Sequence, residues 1–165
     1  MTPRCLAVPV LLLALAVAAG CGDEASDGGG AVVPEPGRAT PAGLLADLSA
    51  RVADGRGISD GTWTMDVQEV AMALWPDDVS PAALRARVDH TNLAHIAGDL
   101  ARRMAQDPSV RAQTEAQDPS SLAIHDAFVA ASATGPDAYR RWIEDEGHDL
   151  LEARVKALTD ERPPR

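Results

Sequence analysis

The fold is decided by residues 80–106, which read SPAALRARVDHTNLAHIAGDLARRMAQ. Ser80 and Pro81 indicate a helix start. The serine oxygen can accept a hydrogen bond from an unpaired backbone amide, and proline at the first helical position lacks only a donor that would have no partner there. Apolar residues then recur at helical spacing, which predicts one long helix over residues 81–106.

The apolar residues of this long helix do not all lie on one side. Leu84 and Val88 lie roughly opposite the stripe that begins at Leu93, when residues are placed about 100° apart around the helix. The helix is therefore expected either to be contacted on two sides or to bend at the polar segment 89–92.

The pairing of a cap residue with proline recurs along the chain, and apolar spacing extends from each pair. The further pairs are Asp107-Pro108, Asp118-Pro119 and, in a looser form, Gly135-Pro136. The predicted helices cover 42–53, 63–75, 81–106, 109–117, 119–133 and 137–160, with a loop over 54–61. No segment shows the sustained two-residue alternation of a strand. We therefore expect an all-α fold, a compact helical bundle of about five to six helices.

Apolar stripes on the second and last predicted helices support a bundle. The second helix carries Trp63, Val67, Val70, Ala71 and Leu74, and the last carries Ile143, Leu150, Leu151 and Leu158. Both sets follow the spacing of one helix face. Each face needs a partner to exclude water, so both helices are expected to pack against the core.

The first twenty residues have the organisation of an export signal. The positive charge of Arg4 precedes an uncharged apolar run, and small residues follow that run. The run falls short of the roughly 20 apolar residues that a helix needs to cross a bilayer. We therefore expect residues 1–20 to be a signal peptide and not a membrane span.

The segment Ala18-Ala19-Gly20-Cys21 resembles the lipobox of bacterial lipoproteins, a resemblance limited to the first 21 residues. It implies diacylglyceryl transfer to the Cys21 sulfur, cleavage after Gly20 and a lipid anchor on an extracytoplasmic membrane face. Ala18 stands where Leu is commoner, so an ordinary signal-peptidase site is the alternative. Gly22 after the cysteine implies the outer membrane in a host with two membranes, and the cell membrane is the other destination.

Processing at this site also sets the cysteine count and the charge. Cys5 leaves with the signal, so Cys21 is the only cysteine of the expected mature chain, and no intramolecular disulfide can form. Loss of Arg4 leaves 14 basic and 25 acidic side chains, a net charge of −11. Such a surface repels nucleic acid, so nucleic-acid binding is not expected.

The residues after Cys21 are mostly Gly, Pro, Ser, Ala and acidic residues. Such a segment buries too little apolar surface to offset the conformational entropy of ordering it. We expect the lipidated cysteine and a disordered linker to occupy residues 21–43. The α-helical domain then covers residues 44–165.

Four histidines form the most suggestive polar set: His90, His95, His125 and His148. A bundle could gather them into a metal site with Asp99, Asp126 or Glu144. Ferritin-like sites repeat Glu-x-x-His on two helices, whereas this chain offers one Asp-x-x-His, ending at His148. His90 and His95 diverge by about 140° around one helix. We therefore predict no metal and no cofactor, and partly buried imidazoles bonded to backbone or carboxylates.

Residues 57–61 match the G-x-S-x-G pattern of a hydrolase nucleophile, with Ser59 at its centre. That motif needs a strained turn between a strand and a helix, with a sheet behind it. Here a predicted helix precedes the motif and no sheet is expected. We therefore predict no catalytic residue, and a turn or a cap for Ser59 and Asp60.

The aromatic and acidic residues allow two interpretations. The rings of Trp63, Trp75, Tyr139 and Trp142 could line a ligand groove or bind a partner. They lie near predicted helix ends, where such rings commonly close a core, and we favour this interpretation. The acidic residues Glu144, Asp145 and Glu146 are expected on a solvated face, and Asp77 and Asp78 in a loop.

The preferred interpretation is a lipid-anchored extracytoplasmic helical protein, a non-catalytic binding or envelope-associated module. Its partners would be the membrane, through lipid on Cys21, and an unidentified envelope protein or small ligand. Two alternatives stay open: a metal-dependent or hydrolytic enzyme that uses the histidines, and a structural spacer without a specific ligand.

Overall fold

The structure is a computed structural model that describes residues 40–58 and 61–160. The expected signal peptide, Cys21 and the expected linker up to residue 39 lie outside these residues, as do Ser59 and Asp60. The helices are α1 (Pro41–Asp54), α2 (Trp63–Leu74), α3 (Pro81–Gln106), α4 (Ser109–Gln117), α5 (Pro119–Ser132), α6 (Pro136–Trp142) and α7 (His148–Asp160). A π-helical turn, Ile143–Gly147, joins α6 to α7 without a break.

The described residues are all-α, as predicted. Because α6, the π-helical turn and α7 are continuous, the seven α-helices form six separate helical stretches. No strand occurs within 40–58 or 61–160. No helix in this described part is long and apolar enough to cross a membrane.

The cap residues explain where the helices begin. Ser80 Oγ accepts a hydrogen bond from the Ala83 amide at 3.2 Å, and an Asp118 carboxylate oxygen accepts one from the Ser121 amide at 3.1 Å. These two predicted starts are confirmed. At α4 the Asp107 carboxylate accepts a hydrogen bond from the amide of the first helical residue at 2.9 Å.

One helix start was missed from the sequence. Thr40 Oγ1 accepts a hydrogen bond from the Gly43 amide at 3.1 Å, and Pro41 follows the cap as the first helical residue. This repeats the pattern of Ser80 and Pro81. Helix α1 therefore begins one residue before the predicted 42–53 helix and takes in residues 41–43 of the expected linker.

Helix α3 lies at the centre and contacts α1, α2, α4, α5, the π-helical turn and α7. Leu93, Ala97 and Leu100 of its stripe are buried and Met104 is half-buried, whereas the α2 stripe predicted from the sequence is buried in full. Leu84 and Val88 are exposed, so the expectation of contact on two sides is wrong at these positions.

The predicted helix over 137–160 is interrupted by the π-helical turn. A side chain at Gly147 would place its Cβ 2.9 Å from Leu93 Cδ1, so glycine allows the turn to lie close to α3. Ile143 is buried, and Leu150 and Leu151 are half-buried. Leu158 is 52% exposed, so its prediction as a core-facing residue is wrong: α7 extends past the residues that could cover it.

Candidate functional site

An open groove of about 1040 Å³ lies between α3 and α7, and we call it the α3–α7 groove. Its apolar lining is Ile96, Leu151, Val155 and Leu158, and its polar lining includes Asp89, Asn92, His95, His148, Asp149, Glu152 and Lys156. Val155 is 63% exposed. None of the 13 residues of α7 is buried, and its half-buried Leu150 and Leu151 pack against the core.

His148 is held between two carboxylates on the wall of this groove. Its Nδ1 lies 3.0 Å from Oδ2 of Asp89, and its Nε2 lies 3.3 Å from Oε1 of Glu152 one turn along α7. Asp89 is buried, and a buried carboxylate requires a donor to offset its lost hydration. Donation from the imidazole to Asp89 therefore joins α7 to α3 and fixes the ring orientation.

The chemistry available at His148 is limited by its neighbours. An imidazole oriented by a carboxylate is suited to moving a proton. Nucleophilic catalysis also needs a hydroxyl or thiol within hydrogen-bond reach of that imidazole. Among the described residues that line the groove there is no serine, threonine, tyrosine or cysteine, and both ring nitrogens already face carboxylates. The arrangement fits the positioning of α7 better than acid–base catalysis.

A smaller polar cavity of about 350 Å³ continues from the groove towards α4 and α5, and shares His95, Ile96 and Arg154 with it. Arg154 Nη1 lies 2.8 Å from both carboxylate oxygens of Asp118. Partial burial alone would raise the pKa of Asp118. Hydrogen bonds from Arg154, Ser121 and Ser120 outweigh that effect and hold this pKa well below its usual value. The charged pair therefore joins α7 to the start of α5.

His90 lies in the core and not in the groove. Its Nε2 is 3.0 Å from the Val67 carbonyl oxygen and its Nδ1 is 2.8 Å from the Tyr139 hydroxyl. The carbonyl can only accept, so Nε2 carries the proton and the hydroxyl donates to Nδ1. Burial lowers the pKa of His90 to about 4, against the opposing hydrogen bond to Val67. This imidazole is neutral and structural, bonded to backbone as predicted.

The other two histidines lie on different elements. His95 lines the groove and meets the Trp63 ring edge to face, with ring centroids 6.4 Å apart. His125 is buried on α5, with Nδ1 2.9 Å from Oδ1 of Asp126. The predicted bond from a partly buried imidazole to a carboxylate is thus confirmed at His125. Its Nε2 is buried without a hydrogen-bond partner.

The acidic residues considered as metal ligands are engaged elsewhere. Asp99 pairs with Arg102, Asp126 pairs with Arg111, and Glu144 accepts a hydrogen bond from the Trp75 indole at 2.9 Å. Within 40–58 and 61–160, no three His, Cys, Asp or Glu side chains form a group that could hold a metal ion.

The G-x-S-x-G segment lies between two helices, α1 and α2. Ser59 and Asp60 are outside the described residues, so the predicted turn or cap stays a prediction. Ile58, just before them, is buried, and Gly57 has a φ of 67°. The described neighbours of this segment therefore lack the strand that a nucleophile elbow requires.

The aromatic residues close the core. Trp63, Trp75 and Tyr139 are buried, which confirms the interpretation favoured from the sequence, and Trp142 is half-buried. Asp145 and Glu146 are exposed, as expected of a solvated face. Glu144 is exposed as well, and its carboxylate also accepts a hydrogen bond from the Trp75 indole.

Sequence reasoning missed the groove and its carboxylates, Asp89 and Glu152. The spacing of His148 and Glu152, four residues on one helix, was a usable signal for their contact. Gly147, a glycine within a helical pattern, was a signal for close packing against another helix. The pairing of His148 with Asp89, 59 residues apart, has no signal in the spacing.

The comparisons with known proteins add no relative: no family model, no curated protein and no solved structure matches this chain. Function is therefore inferred from the geometry of the α3–α7 groove and from the lipobox resemblance.

Proposed function

We propose that this chain is a lipid-anchored extracytoplasmic binding module, with the α3–α7 groove as its binding surface and no covalent chemistry at that surface. The single observation that carries the proposal is the exposure of Val155 and Leu158 on the lining of an open groove. Apolar side chains left in water in a concave surface mark binding sites, because burying them is favourable.

The chemistry of the groove supports binding over catalysis. Both ring nitrogens of His148 face carboxylates, those of Asp89 and Glu152. None of the described residues that line the groove carries a hydroxyl or a thiol. An open groove with an apolar floor and a charged margin fits a helix or another amphipathic surface. This makes a protein partner a better fit than a small reactive substrate.

The lipid anchor is tested by replacing the acceptor sulfur. Cys21→Ala should abolish incorporation of a radioactive fatty acid and release the chain from membranes. Each buried methylene contributes about 0.8 kcal/mol, so two acyl chains hold the wild type firmly. Cys5→Ala is the matched control, because Cys5 lies in the expected signal and should leave labelling intact. Label that persists on Cys21→Ala would refute the anchor.

The metal-dependent enzyme is tested by metal content after purification without chelators. We expect the full chain to carry less than one equivalent of zinc, iron or copper. Single His→Gln variants at the four histidines should leave any envelope phenotype intact, provided that each variant accumulates. One bound equivalent that disappears in two or more of these variants would replace the binding module with the enzyme.

A further inference from the structure

The exposed apolar stripe of α7 is the starting point for identifying what binds in the groove. Leu151, Val155 and Leu158 are spaced four and three residues apart, so they share one face of the helix. Leu151 is half-buried, but Val155 and Leu158 are 63% and 52% exposed. The stripe therefore continues beyond the surface that the other described residues cover, and an apolar helix face would bury its open part.

The spacing of this stripe is self-complementary. When a second α7 runs antiparallel to the first, about a two-fold axis near Val155, Leu151 of each copy faces Leu158 of the other. Val155 then lies at the axis. Isologous contacts of this kind require one surface to match itself, and the three residues meet that condition.

The charges beside the stripe favour the same antiparallel arrangement. Glu152 and Lys156 line the groove on one side of the stripe, one helical turn apart. In an antiparallel pair, the same side of each helix meets, so Glu152 of one copy lies beside Lys156 of the other. In a parallel pair the opposite sides of the two helices meet, so Glu152 and Lys156 of the two copies would lie on opposite sides of the contact and form no such pair. Lys156 also pairs with Asp160 in its own chain, but both side chains of that pair are exposed, so it does not hold Lys156 away from a second copy.

We propose that the groove binds a second copy of this chain, with the two α7 helices packed antiparallel through Leu151, Val155 and Leu158. This inference rests on the proposed role of the groove as a binding surface. Anchored chains share one membrane surface, which raises their effective concentration, so a contact of modest area suffices.

Photo-crosslinking of the full chain in a bacterium that lipidates it tests the occupant. A benzophenone side chain in place of Val155 should give a product of twice the chain's mass, identified by mass spectrometry as two copies. The matched control carries the same group in place of Val88, which is 58% exposed on α3 and does not line the groove. It should give little of that product.

The two other outcomes separate the two proposals. A Val155 product that contains a different protein would overturn the second copy and leave the groove as a binding surface. Crosslinking no greater than that of the Val88 control would overturn both proposals. Neither outcome bears on the lipid anchor, which the fatty-acid label measures separately.

Charge reversal tests the antiparallel arrangement. Glu152→Lys and Lys156→Glu should each lower the yield of the two-copy product about tenfold, because like charges then face each other across the contact. The double variant restores opposite charges and should recover most of the yield. Both residues are exposed. Glu152→Lys also removes the contact between Glu152 and His148, so Lys156→Glu, which leaves that contact intact, is the cleaner of the two single variants. A double variant as weak as the single variants would overturn the antiparallel pairing.

Discussion

Helices α2 and α7 are nearly equal in length, 12 and 13 residues, and both carry an apolar stripe. Helix α2 buries its stripe completely, including Val67 and Val70, whereas α7 buries no residue completely and exposes Val155 and Leu158. Apolar periodicity thus identifies the face that avoids water, and packing within one chain decides whether that face is covered. Where that apolar face is left uncovered, as on α7, we propose a binding surface.

His90 and His148 show the same difference between a covered and an open environment. His90 lies in the core near α2 and bonds to Val67 and Tyr139. His148 lies at the start of α7 in the groove and faces the carboxylates of Asp89 and Glu152. In the core, the neutral imidazole of His90 forms hydrogen bonds with buried polar atoms. In the groove, the imidazole of His148 holds α7 against α3.

The largest expected effect is the difference in stability between the variants Val70→Asp and Val155→Asp. Val70→Asp places an unpaired carboxylate in the core and should cost several kcal/mol, against a total stability of about 5 to 15 kcal/mol. Val155→Asp is the matched change on α7 and should alter stability by less than about 0.5 kcal/mol, because the position is exposed. Urea unfolding followed by far-ultraviolet circular dichroism measures both. Equal losses would show that the two stripes do not differ as described.

The next effect is a pH dependence caused by His90. In the folded chain burial lowers its pKa to about 4, from a usual value of 6.5. Between these two pH values the unfolded chain binds more protons than the folded chain. The stability that His90 contributes is therefore fully present above pH 6.5 and is lost as the pH falls towards 4. About 3 kcal/mol should be lost by pH 4 from this group.

Denaturant unfolding at a series of pH values checks this dependence. His90→Gln should remove this part of the slope, although the variant starts less stable. His148→Gln, on the open side, is the control and should retain it. An unchanged slope in His90→Gln would assign the pH dependence to other groups.

A smaller effect is expected where α3 meets α2 closely. A Cβ at Gly98 would lie 2.6 Å from Trp63 Cζ2 and 3.3 Å from Ile58 Cγ2. Gly98→Ala should therefore cost about 1 to 2 kcal/mol, after the gain in helix propensity is taken into account. Gly61→Ala is the control, since a Cβ there meets no heavy atom within 4 Å. Thermal melting compares the two, and a stabilised Gly98→Ala would refute the close packing.

The smallest effect concerns the attachment of α7. Arg154→Gln removes the ion pair with Asp118, whose side chain is 37% exposed, so water screens the pair and the loss should be under about 1 kcal/mol. Hydrogen exchange should become faster in α7 and stay unchanged in α2. The exposed Arg141→Gln is the control. Equal acceleration in both helices would mean that the ion pair stabilises the whole fold.

Much of the fold was predictable because its signals are local. The pairing of a cap residue with proline at residues 80–81 and 118–119 fixed two helix starts, and the spacing from Trp63 to Leu74 fixed the buried face of α2. The π-helical turn was not predictable, because it changes the hydrogen bonding within an apparently continuous helical pattern. Leu158 was misassigned because periodicity does not tell where the covering helix ends.

The candidate site was largely beyond sequence reasoning. His148 was identified as one of the four histidines that a bundle could gather, but its partner Asp89 is 59 residues away and reaches it only when α3 and the π-helical turn pack together. The groove itself results from incomplete coverage of α7, which depends on the lengths and angles of packed helices. Such properties belong to the tertiary structure.

The most direct test of the central claim compares hydrogen exchange in the wild type with that in Val155→Glu, both expressed as full chains and recovered with the membrane fraction. The account predicts slower exchange of α7 amides in the wild type, because a second surface covers its open stripe there, and equal exchange of α2 amides in both. Equal α7 exchange in the two proteins would contradict the claim that the α3–α7 groove is a binding surface.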